Sequence, residues 1–261
     1  MIAKRLLFTL LSCIIISNLI AQTAKPEETE FYEPVPPIVK AAEGRFEKPS
    51  DAEVLFDGKN LNKWVSSKDT TKPASWKVDN NIITIDKKAG DIQTKERFTD
   101  FQLHLEWRVP KNITGKGQAR GNSGLFLAAP DDQGGYELQI LDSYENTTYV
   151  NGQAGSIYKQ SIPLANVNRP PGEWQVYDVA WVAPRFNEDG TLKSPAKVTA
   201  FLNGVLVQNN YELKGHTPYI GQPEYKSHGA SPIRLQAHGD PSEPISFRNI
   251  WIRPVTQLHF K

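Results

Sequence analysis

The segment FQLHLEWRV, residues 101–109, constrains the fold most strongly because apolar and polar residues alternate along its whole length. Successive side chains of a β-strand point to opposite faces, so this alternation predicts a strand with one buried face. The apolar face holds Phe101, Leu103, Leu105, Trp107 and Val109, and the other face holds Gln102, His104, Glu106 and Arg108.

The rest of the chain is typical of further short strands separated by turns, with almost no helical periodicity. Turn residues at Asp79-Asn80-Asn81 and at Asn203-Gly204 predict the tips of two hairpins, within 76–86 and 197–208. Other strands are predicted within 53–61, 123–129, 134–142, 174–182, 233–239 and 245–255. The pattern predicts an all-β sandwich of two antiparallel sheets, with one face free to form a groove.

Residues 1–21 have the composition of a secretory signal peptide. Lys4 and Arg5 precede an apolar run at 6–16 that is too short to span a bilayer well, and Ala21 offers a cleavage position. We therefore expect an exported protein, periplasmic, secreted or at the cell surface, without a transmembrane segment after cleavage. Cys13 faintly resembles a lipoprotein cysteine, but so early a position leaves a stunted apolar region before it, and anchoring is not expected.

The mature part of the chain carries almost no net charge. Removing Lys4 and Arg5 from the 30 basic residues leaves 28, against 29 acidic residues, so no electrostatic footprint for nucleic acid is expected. No cysteine other than Cys13 is present, and stability must come from the core. Residues 22–50 read as a Pro-rich extension that packs on the surface of a domain covering 51–261.

The segment GGYELQILD, residues 134–142, contains the first candidate site residues. Glu137 and Gln139 share the polar face of a predicted strand, about 7 Å apart by strand rise. Asp142 has the wrong parity, but a bulge after Ile140 would turn it onto the same face. The alternative is that this face is merely solvated, as one face of an antiparallel sheet commonly is.

Several known site patterns are absent from the sequence. No phosphate-binding glycine loop, HExxH or GxSxG pattern occurs. His104, His228, His238 and the carboxylates could supply ligands to a divalent cation, but no compact ligand spacing appears. We therefore assign no metal site and no cofactor, although a divalent cation would suit the chemistry considered below.

Seven ordered segments of the chain resemble one family. They are LFDGKNLNKW, GDIQTKERFTDFQLHLEWR, GNSGLFL, GYELQILD, PPGEWQVYDVAW, FLNGVLVQNN and LQAHGDPSEPISFRNIWIRP. Together they resemble the 3-keto-disaccharide hydrolase domain family over residues 54–255. The resemblance implies a concanavalin A-like jelly roll with a concave sugar-binding face, acting on glycosides whose glucose is oxidised at C3.

The resemblance also implies a chemistry. A ketone at C3 acidifies the C2 proton, so a base can form an enolate, the C1 substituent leaves by elimination, and water then adds. The spacing of Glu137, Gln139 and Asp142 is similar to the E-x-D-x-x-E strand of laminarinase-type glucanases. Gln139 and the shorter Asp142 depart from that motif and argue against double displacement, which needs two carboxyl groups about 5–5.5 Å apart.

We assign candidate roles on this basis. Glu137 is the predicted base with His238 second, Arg108 is the predicted clamp for the enolate oxygen, and Asp142 is the predicted acid. The predicted sugar-binding residues are Glu106, Asn122, Gln139, Tyr158, Lys159, Trp181 and Gln236.

Each assignment has an alternative. Glu106 and Arg108 could simply pair with each other or with neighbouring strands, and His238 could only stabilise the turn at Gly239-Asp240. For the whole protein, a glucanase acting on unoxidised glucans and a non-catalytic carbohydrate-binding module remain open.

Overall fold

The computed structural model describes residues 25–30, 32, 35, 48–131 and 134–255. Residues 1–21 and Cys13, on which the signal-peptide and anchoring predictions rest, lie outside these ranges. Within the described residues there are fifteen strands and three short 3-10 turns, and no α-helix. None of these residues forms a helix long and apolar enough to cross a membrane.

Most strands belong to two antiparallel sheets, and their bounds follow. They are β1 (Glu53–Phe56), β2 (Trp64–Ser66), β3 (Lys77–Asp79), β4 (Ile82–Thr84), β5 (Ile92–Thr94), β6 (Phe101–Arg108), β7 (Ser123–Phe126), β8 (Glu137–Ile140), β9 (Gln175–Val182), β10 (Arg185–Phe186), β11 (Leu192–Ser194), β12 (Lys197–Leu202), β13 (Val205–Glu212), β14 (Arg234–Leu235) and β15 (Ser246–Pro254). The larger sheet has the order β13-β12-β9-β6-β15-β4-β3, with β1 also paired to β15. The smaller sheet has the order β2-β5-β14-β7-β8, and β10 pairs with β11 separately.

The two sheets enclose one hydrophobic core. From the larger sheet, Leu103 and Leu105 of β6 are fully buried, and from the smaller sheet Leu138 and Ile140 of β8 are fully buried. The alternation that predicted β6 therefore identified its core face correctly. The two-sheet antiparallel sandwich predicted from the sequence is confirmed, and the fold is a concanavalin A-like jelly roll.

The predicted hairpin tips are turns in which asparagine adopts the left-handed backbone conformation. The φ angles are 49° at Asn80 and 64° at Asn81, and 54° at Asn203. Asn tolerates this region better than most residues because its short polar side chain bonds locally. These tips join β3 to β4 and β12 to β13.

Candidate active site

A pocket of about 670 Å³ opens on the outer face of the smaller sheet. Strands β7, β8 and β14 supply its floor, and the segment after β14 and four loops supply its walls. Its lining residues are Glu30, Gln118, Ala119, Asn122, Phe126, Gly134, Glu137, Gln139, Tyr149, Tyr158, Thr217, Tyr219, Arg234, Gln236, His238, Gly239, Asp240 and Pro241.

Strand register explains which side chains meet on this floor. Glu137 of β8 lies opposite Phe126 of β7, and Phe126 lies opposite Arg234 of β14, so the three form one row across the sheet. Gln139 lies opposite Gly124, whose carbonyl accepts a hydrogen bond from the backbone N–H of Gln236. Neighbouring strands lie about 4.8 Å apart, so polar side chains from β8 and β14 converge over the small or flat residues of β7.

Glu137 is an unpaired carboxyl group at the floor of the pocket. It is 6% exposed, and its carboxylate makes no hydrogen bond to any described residue. Burial raises the pKa of Glu137 to about 8, although the nearby charge of Arg234 opposes the shift. Near neutral pH this carboxyl is therefore mainly protonated and able to donate a proton.

Gly124 makes the space that Glu137 occupies. A Cβ added at Gly124 would collide with Oε1 of Glu137. The Glu137 carboxyl can lie over this part of the sheet because Gly124, its diagonal neighbour on β7, has no side chain.

Arg234 is a site residue that our sequence assignment omitted. Its guanidinium carbon lies 4.0 Å from the centre of the Phe126 ring, and it donates a hydrogen bond to the carbonyl of Gly134 at 3.2 Å. Asp91 lies 3.6 Å from its Nε. The sequence could have indicated Arg234, because side chains two residues apart on a strand point the same way, and Arg234 therefore shares a face with Gln236 and His238.

His238 stands at the pocket wall with an acidic partner behind it. Its Nδ1 lies 3.0 Å from a carboxylate oxygen of Asp240, while Nε2 has no partner among the described residues. Asp240 also contacts Lys87 at 3.3 Å and accepts hydrogen bonds from Ser242. Burial alone would raise the pKa of Asp240, but the hydrogen bonds from His238 and Ser242 outweigh it and lower that pKa to about 2. Asp240 is thus a permanent anion that orients His238, and it too was missed from the sequence.

Two predicted sugar-binding amides lie in the pocket and are held in fixed orientations. Gln139 donates to Oδ1 of Asn122 at 3.0 Å, and Asn122 donates to the carbonyl of Gln118 at 2.9 Å. Gln236, also predicted, lines the same floor. Amides held in this way present defined donors and acceptors to a polyhydroxyl ligand.

The aromatic wall consists of tyrosines. Tyr149 and Tyr158 come from the loop 143–172, and their hydroxyls lie 2.6 Å apart. Tyr219 comes from the loop 213–231, and its side chain is 64% exposed. Burial raises the pKa of Tyr158 to about 12, so its hydroxyl stays protonated. The backbone N–H of Tyr158 donates to the carbonyl of Glu137 at 3.1 Å, which fixes this loop along the edge of β8.

Asp142 does not join Glu137 on the pocket floor. The paired residues of β7 and β8 show no register shift, so the expected bulge is absent, and β8 ends at Ile140. Asp142 is 1% exposed and lies 2.7 Å from Nε of Arg120. The predicted place of Asp142 in the groove is therefore wrong.

Arg108 and Glu106 are also misplaced by the sequence prediction, because β6 belongs to the larger sheet. Nε of Arg248 lies 2.6 Å from the carboxylate of Glu106, and Asn249 donates to the same group at 2.9 Å. Arg108 stacks on Trp174 at 4.5 Å. These residues lie outside the pocket, and Glu106 pairs with the neighbouring strand β15, which was the alternative stated for it from the sequence.

Trp181 and Lys159 do not line the pocket either. Trp181 is 1% exposed and packs in the core, with its ring centre 5.4 Å from that of Tyr136. Lys159 lies behind the tyrosine wall, with a side chain that is 4% exposed. Its Nζ lies 4.8 Å from the centre of the Tyr219 ring, so it supports the wall from behind.

The described residues contain no group of three or more His, Cys, Asp or Glu side chains placed to hold a metal ion. Within the pocket, the groups with suitable ligand atoms are Glu30, Glu137, His238 and Asp240. Asp240 is already held by Lys87 and Ser242.

The fold and the pocket place the chain in the class of antiparallel β-sandwich proteins with a ligand-sized pocket on the outer face of one sheet. Within that class, residues 51–253 match the family of 3-keto-alpha-glucoside-1,2-lyase-like domains, and the chain belongs to this family. This confirms the resemblance noted in the sequence.

Three relatives illustrate the similarity. A Bacteroides thetaiotaomicron 3-keto-disaccharide hydrolase is 27% identical over 169 residues, which cover 52% of this chain and only 56% of that protein. A crystal structure of a candidate glycosyl hydrolase from Parabacteroides distasonis is 57% identical, with a TM-score of 0.77, and the match covers 88% of this chain and 96% of that one. A second candidate glycosyl hydrolase from that organism is 21% identical, covers 78% and 94% of the two chains, and at a TM-score of 0.57 shares the fold.

Proposed function

We propose that this protein cleaves 3-keto-glycosides through removal of the C2 proton, elimination of the C1 substituent and hydration of the unsaturated sugar. Membership of the family supports the substrate class. The observation that carries the proposal is Glu137, a buried carboxyl group that has no hydrogen-bond partner among the described residues. It lies on the floor of a pocket that Arg234 and His238 also line. An exported location, expected from the leader sequence, is part of the same proposal.

The geometry favours different residues for all three roles expected from the sequence. His238 acts as the base, in the tautomer in which Nδ1 carries the proton and donates it to the Asp240 carboxylate, so that Nε2 is unprotonated. Arg234 takes the role assigned to Arg108 and stabilises the enolate oxygen at C3. Glu137 replaces Asp142 as the acid, since its raised pKa keeps a proton available for the leaving oxygen.

The steps balance without an external oxidant or reductant. His238 takes the C2 proton, and the C2–H electron pair forms the enolate. The enolate then collapses, the C1–O bond breaks, and Glu137 protonates the departing oxygen. Addition of water across the C1–C2 double bond returns a proton to C2 and a hydroxyl to C1, which gives the free 3-keto sugar and the alcohol.

A glucanase mechanism has less support from the pocket. Double displacement needs a second carboxyl about 5–5.5 Å from the first. Asp142 is outside the pocket, and Asp240 is engaged by His238, Ser242 and Lys87.

The proposal is tested by an assay of a 3-keto-glucoside and its unoxidised parent, with the wild-type protein and Glu137→Gln side by side and with and without chelator. We expect turnover of the keto sugar alone and a loss of about 10²–10⁴-fold in the variant. Turnover of the parent would support the glucanase alternative, and sugar binding without turnover would support a binding module. Loss of activity in chelator would show that a divalent cation takes part.

A further inference from the structure

We propose that residues 26–30, which precede the family-matched region, form part of the active-site wall, and that Glu30 and Tyr219 together form the subsite for the leaving group. This inference rests on the proposed function. We further propose that the enzyme prefers a neutral leaving group with several hydroxyls, such as a second sugar, and discriminates against an anionic leaving group.

The segment is attached to the pocket by specific contacts. The carbonyl of Thr29 accepts a hydrogen bond from Asn151 at 2.9 Å, and the carbonyl of Pro26 accepts one from Lys159 at 3.3 Å. Tyr32 packs edge-on against Tyr149, with ring centres 6.3 Å apart. The segment therefore lies against the tyrosine wall.

Lys159 joins the three pieces of chain that form this side of the pocket. Besides Pro26, its Nζ donates to the carbonyl of Tyr219 at 2.9 Å and lies 3.8 Å from the carboxylate of Glu30. Its φ of 57° is unusual for a lysine, so the backbone is held in a conformation that aims this side chain. Lys159 is thus a positioning residue for Glu30 and Tyr219.

The different depths of Glu137 and Tyr219 in the pocket indicate which part of the substrate each residue contacts. Glu137 is 6% exposed and lies on the floor, whereas the Tyr219 side chain is 64% exposed at the rim. The reacting ring must reach Glu137, so the leaving group extends outward and meets the rim. An exposed tyrosine ring packs well against the apolar face of a sugar.

Glu30 supplies the polar part of the subsite. Its side chain is only 16% exposed, and its carboxylate makes no hydrogen bond to a described residue. At 3.8 Å the contact with Lys159 is an ion pair too long for a hydrogen bond, so the carboxylate oxygens remain free to accept from hydroxyl groups. A carboxylate at this position would repel a uronic acid or a phosphate in the leaving group.

The test compares three 3-keto-glucosides that differ only in leaving group: methanol, a neutral sugar and a uronic acid. The full chain is assayed alongside Glu30→Gln, Tyr219→Ala and the control Glu28→Gln, which alters an exposed carboxyl of the same segment. For Glu30→Gln and Tyr219→Ala we expect kcat/KM for the neutral disaccharide to fall by about tenfold. The loss should be clearly smaller on the methyl glycoside, whose leaving group does not fill the subsite, and Glu28→Gln should match wild type throughout.

Discrimination against the uronic-acid leaving group provides a readout that a structural role would not change. It should weaken in Glu30→Gln and persist in Tyr219→Ala. If wild type is active but both variants lose activity on every substrate equally, or on none, the subsite is wrong and the proposed function stands. If wild type turns over none of the three, both are overturned.

Discussion

Glu137 illustrates how a single residue can exchange stability for reactivity. Its carboxyl is buried on the pocket floor with no hydrogen-bond partner among the described residues, and burial raises its pKa to about 8. A carboxyl group in this environment resists ionisation. The free energy of unfolding is therefore lowered at any pH at which an ordinary glutamate would be ionised.

The raised pKa predicts a pH-dependent stability. The unfolded chain ionises Glu137 near its ordinary value of 4.5, whereas the folded protein holds the proton until about pH 8. Its contribution to stability is therefore fully present below pH 4.5 and is lost as the pH rises to about 8. Glu137→Gln should consequently match wild type near pH 4 and exceed it by about 3–5 kcal/mol at pH 8, as measured by urea unfolding. Glu28→Gln is the control, and an equal difference at both pH values would contradict the prediction.

The same pKa predicts the alkaline side of the activity profile. If Glu137 donates the proton to the leaving oxygen, kcat/KM should fall as the pH rises through about 8. The measurement is kcat/KM for a 3-keto-glucoside across the pH range in which the protein stays folded. An activity that instead rises through pH 8 would make Glu137 the base.

Gly124 is expected to be as important as the group it accommodates. A Cβ there would collide with Oε1 of Glu137, while the strand backbone itself can accept alanine. Gly124→Ala should therefore fold but lose activity by at least about tenfold, because an ångström-scale displacement of a catalytic group is costly. Gly229→Ala, where the added Cβ meets nothing within 4 Å, is the control and should remain fully active. Equal activities would show that the carboxyl can move without loss.

At the scale of elements, strand parity predicted part of the site. The period of two placed Glu137 with Gln139 and Arg234 with Gln236 and His238, and all five line the pocket. Parity does not say which sheet a strand joins, because pairing between β7, β8 and β14 is set by contacts distant in sequence. That is why Arg108 was placed in the groove from the alternation of β6 although it lies on the other sheet.

Two matched substitutions test this assignment of sheets. Arg234→Gln should reduce kcat by about 10²–10³-fold, because it removes the positive charge beside the developing enolate. Arg108→Gln, which only disturbs stacking on Trp174, should leave kcat within a few-fold of wild type. Steady-state kinetics on the keto sugar would decide, and the opposite ranking would restore the sequence-based assignment.

Local departures from regular strands could not be predicted. The register of β15 shifts between Arg248 and Trp251, and Asn249 there has a φ of 47°. This bulge places Asn249 next to Glu106, to which it donates a hydrogen bond. The polar face of β6, which the sequence pattern would leave in contact with solvent, is thereby covered. Conversely, the bulge expected near Asp142 is absent, because β8 ends and Asp142 pairs with Arg120 instead.

For the whole molecule, hydrophobic periodicity was sufficient to predict the class of fold. An antiparallel sandwich needs alternating strands and turns of the right length, and both are visible in the sequence. The jelly-roll arrangement of those strands was expected only from the family resemblance. The pocket wall is different, because it depends on how the extension and two loops meet around Lys159. Trp181 shows the same limit, since burial between the sheets rather than residue type decides its role.

The central claim is that cleavage proceeds through loss of the C2 proton, and an isotope effect tests it directly. Wild-type protein would be given a 3-keto-glucoside carrying deuterium at C2, in parallel with the unlabelled compound. We expect the labelled substrate to react several-fold more slowly under conditions limited by kcat/KM. Equal rates, together with complete retention of deuterium at C2 in the product, would contradict elimination and indicate direct displacement at C1.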